Sequence, residues 1–262
     1  MKLHLVLGTA LALSLAACSQ PAAEGTDNEV AARVLSLEAL DAAVANAARP
    51  EQARELDASR KPAAVLAFLG LEEGDAAADL ISGGGYWAEI LAKAVGPDGS
   101  VTAFEPEQFY NEEAWTALGE REPGIALERY RMEDFKAGEP RFDFAVMNLV
   151  YHDLYWESEQ YDVPRSDPQA YLASLYSIMK PGGIVGVIDH VGNEGDTRKT
   201  VEDFHRIDPA VVRADFEKAG FVLEAESPML ANPEDGHDTS VFDPAIRGKT
   251  DRFIMKFVKP EA

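Results

Sequence analysis

The run Asp79-Leu80-Ile81-Ser82-Gly83-Gly84-Gly85-Tyr86-Trp87 decides the architecture of this chain. It closes the apolar stretch Ala76–Ile81, which predicts a strand, and it leads into Trp87–Val95, where apolar residues recur at helical spacing. Glycines between a strand and a helix permit a tight turn and let a ligand approach bare backbone at the positive end of the helix. The next predicted strand, Ser100–Phe104, is followed by Glu105, 20 residues beyond Gly85. An acidic side chain there can accept hydrogen bonds from both hydroxyls of a ribose. Strand, glycine turn, helix and acid-tipped strand together predict the nucleoside-binding end of a parallel sheet.

The same alternation continues outward. Apolar runs at Ala126–Arg129, Phe142–Val150, Ile184–Ile188, Phe221–Ser227 and Arg252–Val258 predict further strands, and Gln108–Arg121, Pro168–Met179 and Ala210–Ala219 predict the helices between them. A polar excursion from Pro228 to Gly248 precedes the last strand, as expected of a final strand that returns as a hairpin. The fold class expected is α/β: a Rossmann-like, doubly wound, seven-stranded sheet, mostly parallel, with a C-terminal antiparallel hairpin strand and helices on both faces. Such a sheet holds its ligand at the carboxyl ends of its strands. Upstream, Ser36 with Leu37, Leu40 and Val44 predicts a capped helix running to Ala48, and Pro62–Leu69 a second helix ending at Gly70. Residues 34–74 are therefore expected to form a helical cover over a main domain at 75–262.

The glycine pattern by itself does not separate two cofactor classes, because Gly83, Gly85 and Ala88 also satisfy a dinucleotide fingerprint. The surroundings do: Asp79, Glu105, Asp134, the Asn148-containing strand and Lys180-Pro181-Gly182-Gly183 together resemble the class I S-adenosylmethionine-dependent methyltransferases, from about Asp75 to Lys259. More narrowly, the Gly-Gly-Gly-Tyr-Trp loop, His205-Arg206-Ile207-Asp208 and Val241-Phe242-Asp243-Pro244 resemble a group of exported bacterial methyltransferases of unassigned substrate. The resemblance implies S-adenosylmethionine as cofactor. It implies that Asp79, Gly83 and Gly85 frame the methionine portion, that Glu105 holds the ribose, that Glu133 or Asp134 meets the adenine amino group, and that Asn148 lies beside the transferring methyl. The expected activity is methyl transfer to a small molecule. The alternatives are a noncatalytic binding module on the same fold and a nicotinamide-dependent oxidoreductase, the latter disfavoured by Asp79 and the Lys-Pro-Gly-Gly turn.

Four histidines follow the N-terminal segment, each with an aspartate close by in sequence: His152-Asp153, Asp189-His190, His205 with Asp208, and His237-Asp238. His152 and His190 fall just past the ends of the fourth and fifth strands, at the expected mouth of the crevice. Methyl transfer asks an enzyme to orient the acceptor and, where needed, to take its proton, a task that suits a histidine tuned by a carboxylate. His152 is the first candidate base, with Tyr151 or Asp153 positioning the acceptor and His190 second. Imidazole and carboxylate also suit a divalent metal, but none of these residues has a helical metal-ligand spacing, so no metal is assigned. Asp208 before Pro209 reads equally as a helix cap, and Arg206 as the partner of an acid or of an anionic substrate.

At the N-terminus, Met1-Lys2, an apolar run from Leu3 to Ala17 and then Cys18 have the form of a secretory signal. Leu15-Ala16-Ala17-Cys18 resembles the lipobox of bacterial lipoproteins, which implies cleavage after residue 17, acylation of Cys18 and a periplasmic, membrane-anchored product; Ser19 favours the outer membrane. Residues 18–33 are expected to act as a tether. Cys18 is the only cysteine, so no thiol remains for a disulfide or for catalysis. With 46 acidic against 24 basic residues the net charge is −22, which repels phosphate backbones and makes nucleic acid an unsuitable partner.

Overall fold

A computed structural model describes Met1 and residues 34–261. The expected signal beyond Met1, Cys18 and the tether lie outside the described residues. Among the described residues no helix is long and apolar enough to cross a membrane.

Seven strands, β1 (Ala76–Leu80), β2 (Ser100–Pro106), β3 (Ile125–Tyr130), β4 (Phe142–Asn148), β5 (Met179–His190), β6 (Val222–Ser227) and β7 (Arg252–Val258), form one sheet. Their order is β3-β2-β1-β4-β5-β7-β6. The first five pair in parallel, and β7 runs antiparallel between β5 and β6. This is the Rossmann-like methyltransferase sheet expected from the sequence, hairpin strand included. Chain reversal at β1 places the crevice where β1 and β4 diverge, at their carboxyl ends.

The interior strands alternate their side chains between two apolar layers. Ala77 and Val146 face a layer with Trp87, Ile90 and Leu91, whereas Ala78 and Met147 face one with Phe216 and Phe257. The helices α1 (Leu37–Val44), α2 (Glu51–Glu55), α3 (Asp57–Arg60) and α4 (Pro62–Leu69) precede the sheet. Leu40 of α1 and Leu66 and Leu69 of α4 are fully buried in the first layer, so these helices share the sheet's core. The glycine turn leads into α5 (Tyr86–Ala94), and α6 (Glu112–Arg121), α7 (Pro168–Ile178), α8 (Thr197–Phe204) and α9 (Pro209–Ala219) follow.

Departures from the sequence reading have local causes. α1 ends at Val44 rather than Ala48 because the buried Arg49 guanidinium donates to the Val44 carbonyl at 2.6 Å and takes over a helix-end acceptor. α6 starts late because Asn111, whose side chain accepts from Ala114 N–H, caps it there. The helices α2, α3 and α8 were not anticipated; each is at most eight residues, too short for periodicity to register. The long segment between β6 and β7 is tied down by polar bonds: Arg206 pairs with Asp235 at 2.9 Å, and Asp251 N–H donates to the same carboxylate.

Candidate active site

At the carboxyl end of β1 the chain takes an unusual backbone path. Ile81, β-branched and buried, has φ 52°, and Gly83 and Gly85 have φ 65° and 77°. A left-handed conformation costs a non-glycine residue roughly 1–2 kcal/mol, so the fold holds Ile81 there against a preference. Gly85 has no alternative, since a Cβ would stand 2.2 Å from Leu118 Cδ2. Gly83 and Gly84 face open space, with nothing within 4 Å of where a Cβ would be.

Two carboxylates lie under this loop. Asp79 accepts from the Ala88 N–H at 3.0 Å and from the Ser82 hydroxyl, which pins the first turn of α5 to β1. Burial raises its pKa to about 7 even though both bonds favour the ionised form. Glu105, 0% exposed at the end of β2, accepts from Gly83 N–H at 2.7 Å through Oε2, and its Oε1 is enclosed without a partner. Burial likewise lifts Glu105 to about 8; the Trp115 indole lies near enough to oppose this, yet its N–H also lacks a hydrogen bond of good geometry. A buried carboxylate oxygen with no donor is uncommon and costly, so a missing ligand hydroxyl is a physical explanation for it. The orphaned Oε1 and the open space over the glycines are the two features that fit a ribose-bearing cofactor.

The other expected cofactor contacts are less enclosed. Glu133 and Asp134 sit in the turn Met132–Asp134 after β3, both exposed; Glu133 takes Arg131 and Gln108 as partners, and Asp134 pairs with Lys136. Asn148, half-buried at the end of β4, makes no side-chain hydrogen bond among the described residues and precedes Leu149, a second non-glycine residue at positive φ (59°).

Across the crevice the histidines gather, but with partners that sequence adjacency misassigned. His152 lies in the turn Tyr151–Tyr155, and its Nδ1 bonds Asp189 Oδ1 at 2.8 Å. Asp153 is the more distant carboxylate, 3.4 Å from Nε2. Burial pushes the His152 pKa down, but the charges of Asp189 and Asp153 overcome it and hold the ring protonated, with a pKa of about 9. A cationic ring in the resting site cannot accept a proton, which weakens the expected base role of His152. Asp153 is itself raised to about 6 by burial. The His190 ring does not bond Asp189, since successive strand side chains face opposite ways; that carboxylate accepts the His190 backbone N–H at 2.7 Å. The ring's Nδ1 meets Thr250 Oγ1 at 2.7 Å, its Nε2 has no hydrogen-bond partner among the described residues, and burial lowers its pKa to about 3, so it stands neutral. Tyr151 turns into the core: fully buried, it donates to Asp215 at 2.8 Å and packs on Phe216, away from any acceptor.

Sequence reasoning missed one member of this cluster. His205, at positive φ after α8, stacks edge-on against His152 (centroids 5.7 Å apart) and Phe242 (4.8 Å) and lies 5.4 Å from Trp156. Asp208, its sequence neighbour, caps α9 through Ala210 N–H. His237 pairs with Asp251 at 2.9 Å rather than with Asp238. Arg206 is fully buried and bonded to Asp235, Thr239 O and Val191 O, so of its two sequence readings the acid partner holds. Among the described residues no group of three or more His, Cys, Asp or Glu side chains is placed to hold a metal ion.

A doubly wound sheet with an antiparallel seventh strand, a glycine loop over a ribose-type carboxylate and a polar opposite wall defines the class I, S-adenosylmethionine-dependent methyltransferase architecture. A family described as "Methyltransferase domain" matches residues 77–183. Two solved structures share the fold. A SAM-dependent methyltransferase from Aquifex aeolicus is 19% identical with a TM-score of 0.57, over 86% of this chain and 99% of that one. An S-adenosylmethionine-dependent methyltransferase from Mesorhizobium loti is 15% identical with a TM-score of 0.55, over 78% and 99%. No curated protein matches the sequence.

Proposed function

We propose that this enzyme transfers a methyl group to a small-molecule acceptor, and that it does so as an exported protein anchored through a lipid on Cys18. The observation that carries the cofactor placement is Glu105, whose enclosed Oε1 has no partner while Oε2 is held only by the Gly83 N–H. Two ribose hydroxyls would satisfy Oε1 and replace the Gly83 bond, which asks the glycine loop to lift by a small distance. Asp79, Gly83 and Gly85 would line the methionine portion, Glu133 or Asp134 the adenine edge, and Asn148 the reacting centre. When bound, S-adenosylmethionine supplies a methyl group made electrophilic by its sulfonium.

The chain's own task is then to orient the acceptor and manage its proton. His190, neutral and with Nε2 free of a hydrogen bond among the described residues, can accept a hydrogen bond from the acceptor and so orient it, while its burial opposes full protonation of the ring. His152, protonated between Asp189 and Asp153, is a fixed positive charge that can orient a polar acceptor. Membrane attachment rests on Leu15-Ala16-Ala17-Cys18, and the net charge of −22 supports a small molecule over nucleic acid.

Turnover tests this reading against a noncatalytic binding module. With a methyl acceptor found by screening, His190→Ala is expected to lower kcat at least tenfold with S-adenosylmethionine affinity retained. Cofactor binding without turnover on any acceptor class would favour the binding module.

A further inference from the structure

The cover and the segment before β7 flank an open cleft of about 340 Å³, with Lys61, Met229, Asn232, Lys249, Thr250 and Arg252 on its walls. Arg252 is 7% exposed, and none of its N–H groups has a protein acceptor among the described residues; Nε is fully enclosed. The other deeply buried arginines are answered: Arg49 by Asp57 at 2.8 Å and Arg206 by Asp235 at 2.9 Å. Arg60 adds a second unanswered guanidinium, stacked 4.3 Å over the Tyr86 ring and without a hydrogen bond or ion pair among the described residues. Burial presses both arginines below their ordinary pKa; the charge of Arg60 adds to this at Arg252, while Asp251 opposes it there and Asp79 and Asp57 oppose it at Arg60. A buried guanidinium with no bonded acceptor is costly, and Asp251, the carboxylate beside Arg252 in sequence, spends its oxygens on the Asn232 N–H and on His237.

Position says what the missing anion belongs to. Arg252 opens β7 directly opposite His190 of β5 in the antiparallel ladder, and Thr250 of the same cleft bonds the His190 ring. β7 is the third strand from β1, about 14 Å from the glycine loop at the usual strand spacing, so Arg252 stands on the acceptor's side of the crevice. Guanidinium matches carboxylate in a planar, two-bond geometry. Resting on the methyltransferase reading above, we propose that the methyl acceptor is a small organic anion whose carboxylate is held by Arg252, with Arg60 reinforcing the positive field.

The test is a calorimetric titration of the full chain, saturated with S-adenosylhomocysteine, with matched pairs of ligands: benzoate and benzamide, succinate and succinamide, indole-3-acetate and its amide. At least one carboxylate is expected to bind tenfold or more tightly than its amide. Arg252→Gln should erase that preference, Arg252→Lys should restore part of it, and both should keep S-adenosylhomocysteine affinity within twofold. The proposal is overturned if no carboxylate outbinds its amide or if the preference survives Arg252→Gln. A tenfold loss of S-adenosylhomocysteine affinity in Arg252→Gln with Arg252→Lys unimpaired also overturns it, because the anion is then the cofactor's own carboxylate. Should the wild-type chain fail to bind S-adenosylhomocysteine, the methyltransferase reading falls, and the same ligand pairs titrated into the unsaturated protein still decide whether Arg252 is a carboxylate site.

Discussion

The two ends of the crevice are incomplete in opposite senses. Under the glycine loop an acceptor lacks donors, in the enclosed Oε1 of Glu105; at the head of β7 donors lack an acceptor, in the guanidinium of Arg252. Elsewhere the described chain answers its buried charges, as in Arg206 with Asp235. Buried polar atoms without a hydrogen bond occur elsewhere too, in Asn46, Trp87 and Ser166, but in Glu105 and Arg252 they belong to charged groups at the two ends of one crevice, where a ligand can finish the structure; their signs separate hydroxyls on one side from an anion on the other.

The largest effect is expected at the cofactor end. Glu105→Ala should weaken S-adenosylhomocysteine binding at least 100-fold, about 2.7 kcal/mol, by calorimetry; unchanged affinity would remove the ribose assignment. Next comes a contrast between two arginines. Arg206→Met strands Asp235 and should cost roughly 3–5 kcal/mol in urea unfolding, whereas Arg252→Met in the ligand-free protein should be neutral or stabilising. Equal losses would show that Arg252 has a structural partner.

Protonation gives smaller effects with opposite signs at the two ends. Glu105 is raised from 4.5 to about 8, so the folded state keeps a proton that the unfolded chain releases, and its stability contribution falls as pH rises between those values. Glu105→Gln should therefore gain at least about 1 kcal/mol relative to wild type at pH 8.5 compared with pH 5. His190, lowered to about 3, acts the other way: stability is lost as pH falls below about 6.5. Smallest is Asp189→Asn, which removes the nearest charge on His152. Its pKa, about 9 in wild type, should drop by one unit or more when followed by the ring proton resonances, and the stability it lends below pH 6.5 should shrink.

The glycine turn and the acid-tipped strand were legible in the sequence because their signals are local: glycines, strand and acid fall within Asp79–Glu105, and turn geometry acts over that span. The succession of strands and helices followed from the same alternation, and the order of the strands in the sheet comes from the structure. The acceptor end was not legible, because its pairings cross the sheet. His152 finds Asp189, 37 residues away, His190 finds Thr250, 60 away, and Arg252 meets His190 only through the β5–β7 ladder. Sequence adjacency set an aspartate beside each histidine; Asp153 does stand 3.4 Å from the His152 ring, but Asp189 turns its carboxylate to His152 Nδ1 and meets His190 only through the backbone N–H. Tyr151 looked like a crevice residue by position, and its rotation into the core depends on Asp215 of α9, which no local pattern announces.

The most direct measurement is parallel titration of the protein with S-adenosylmethionine, S-adenosylhomocysteine and NAD. Micromolar binding of the two sulfur nucleosides, about 8 kcal/mol, with no binding of NAD and loss of both in Glu105→Ala, is the predicted result. Binding of NAD alone, or of none of the three, would contradict the assignment of the glycine loop and Glu105 to S-adenosylmethionine.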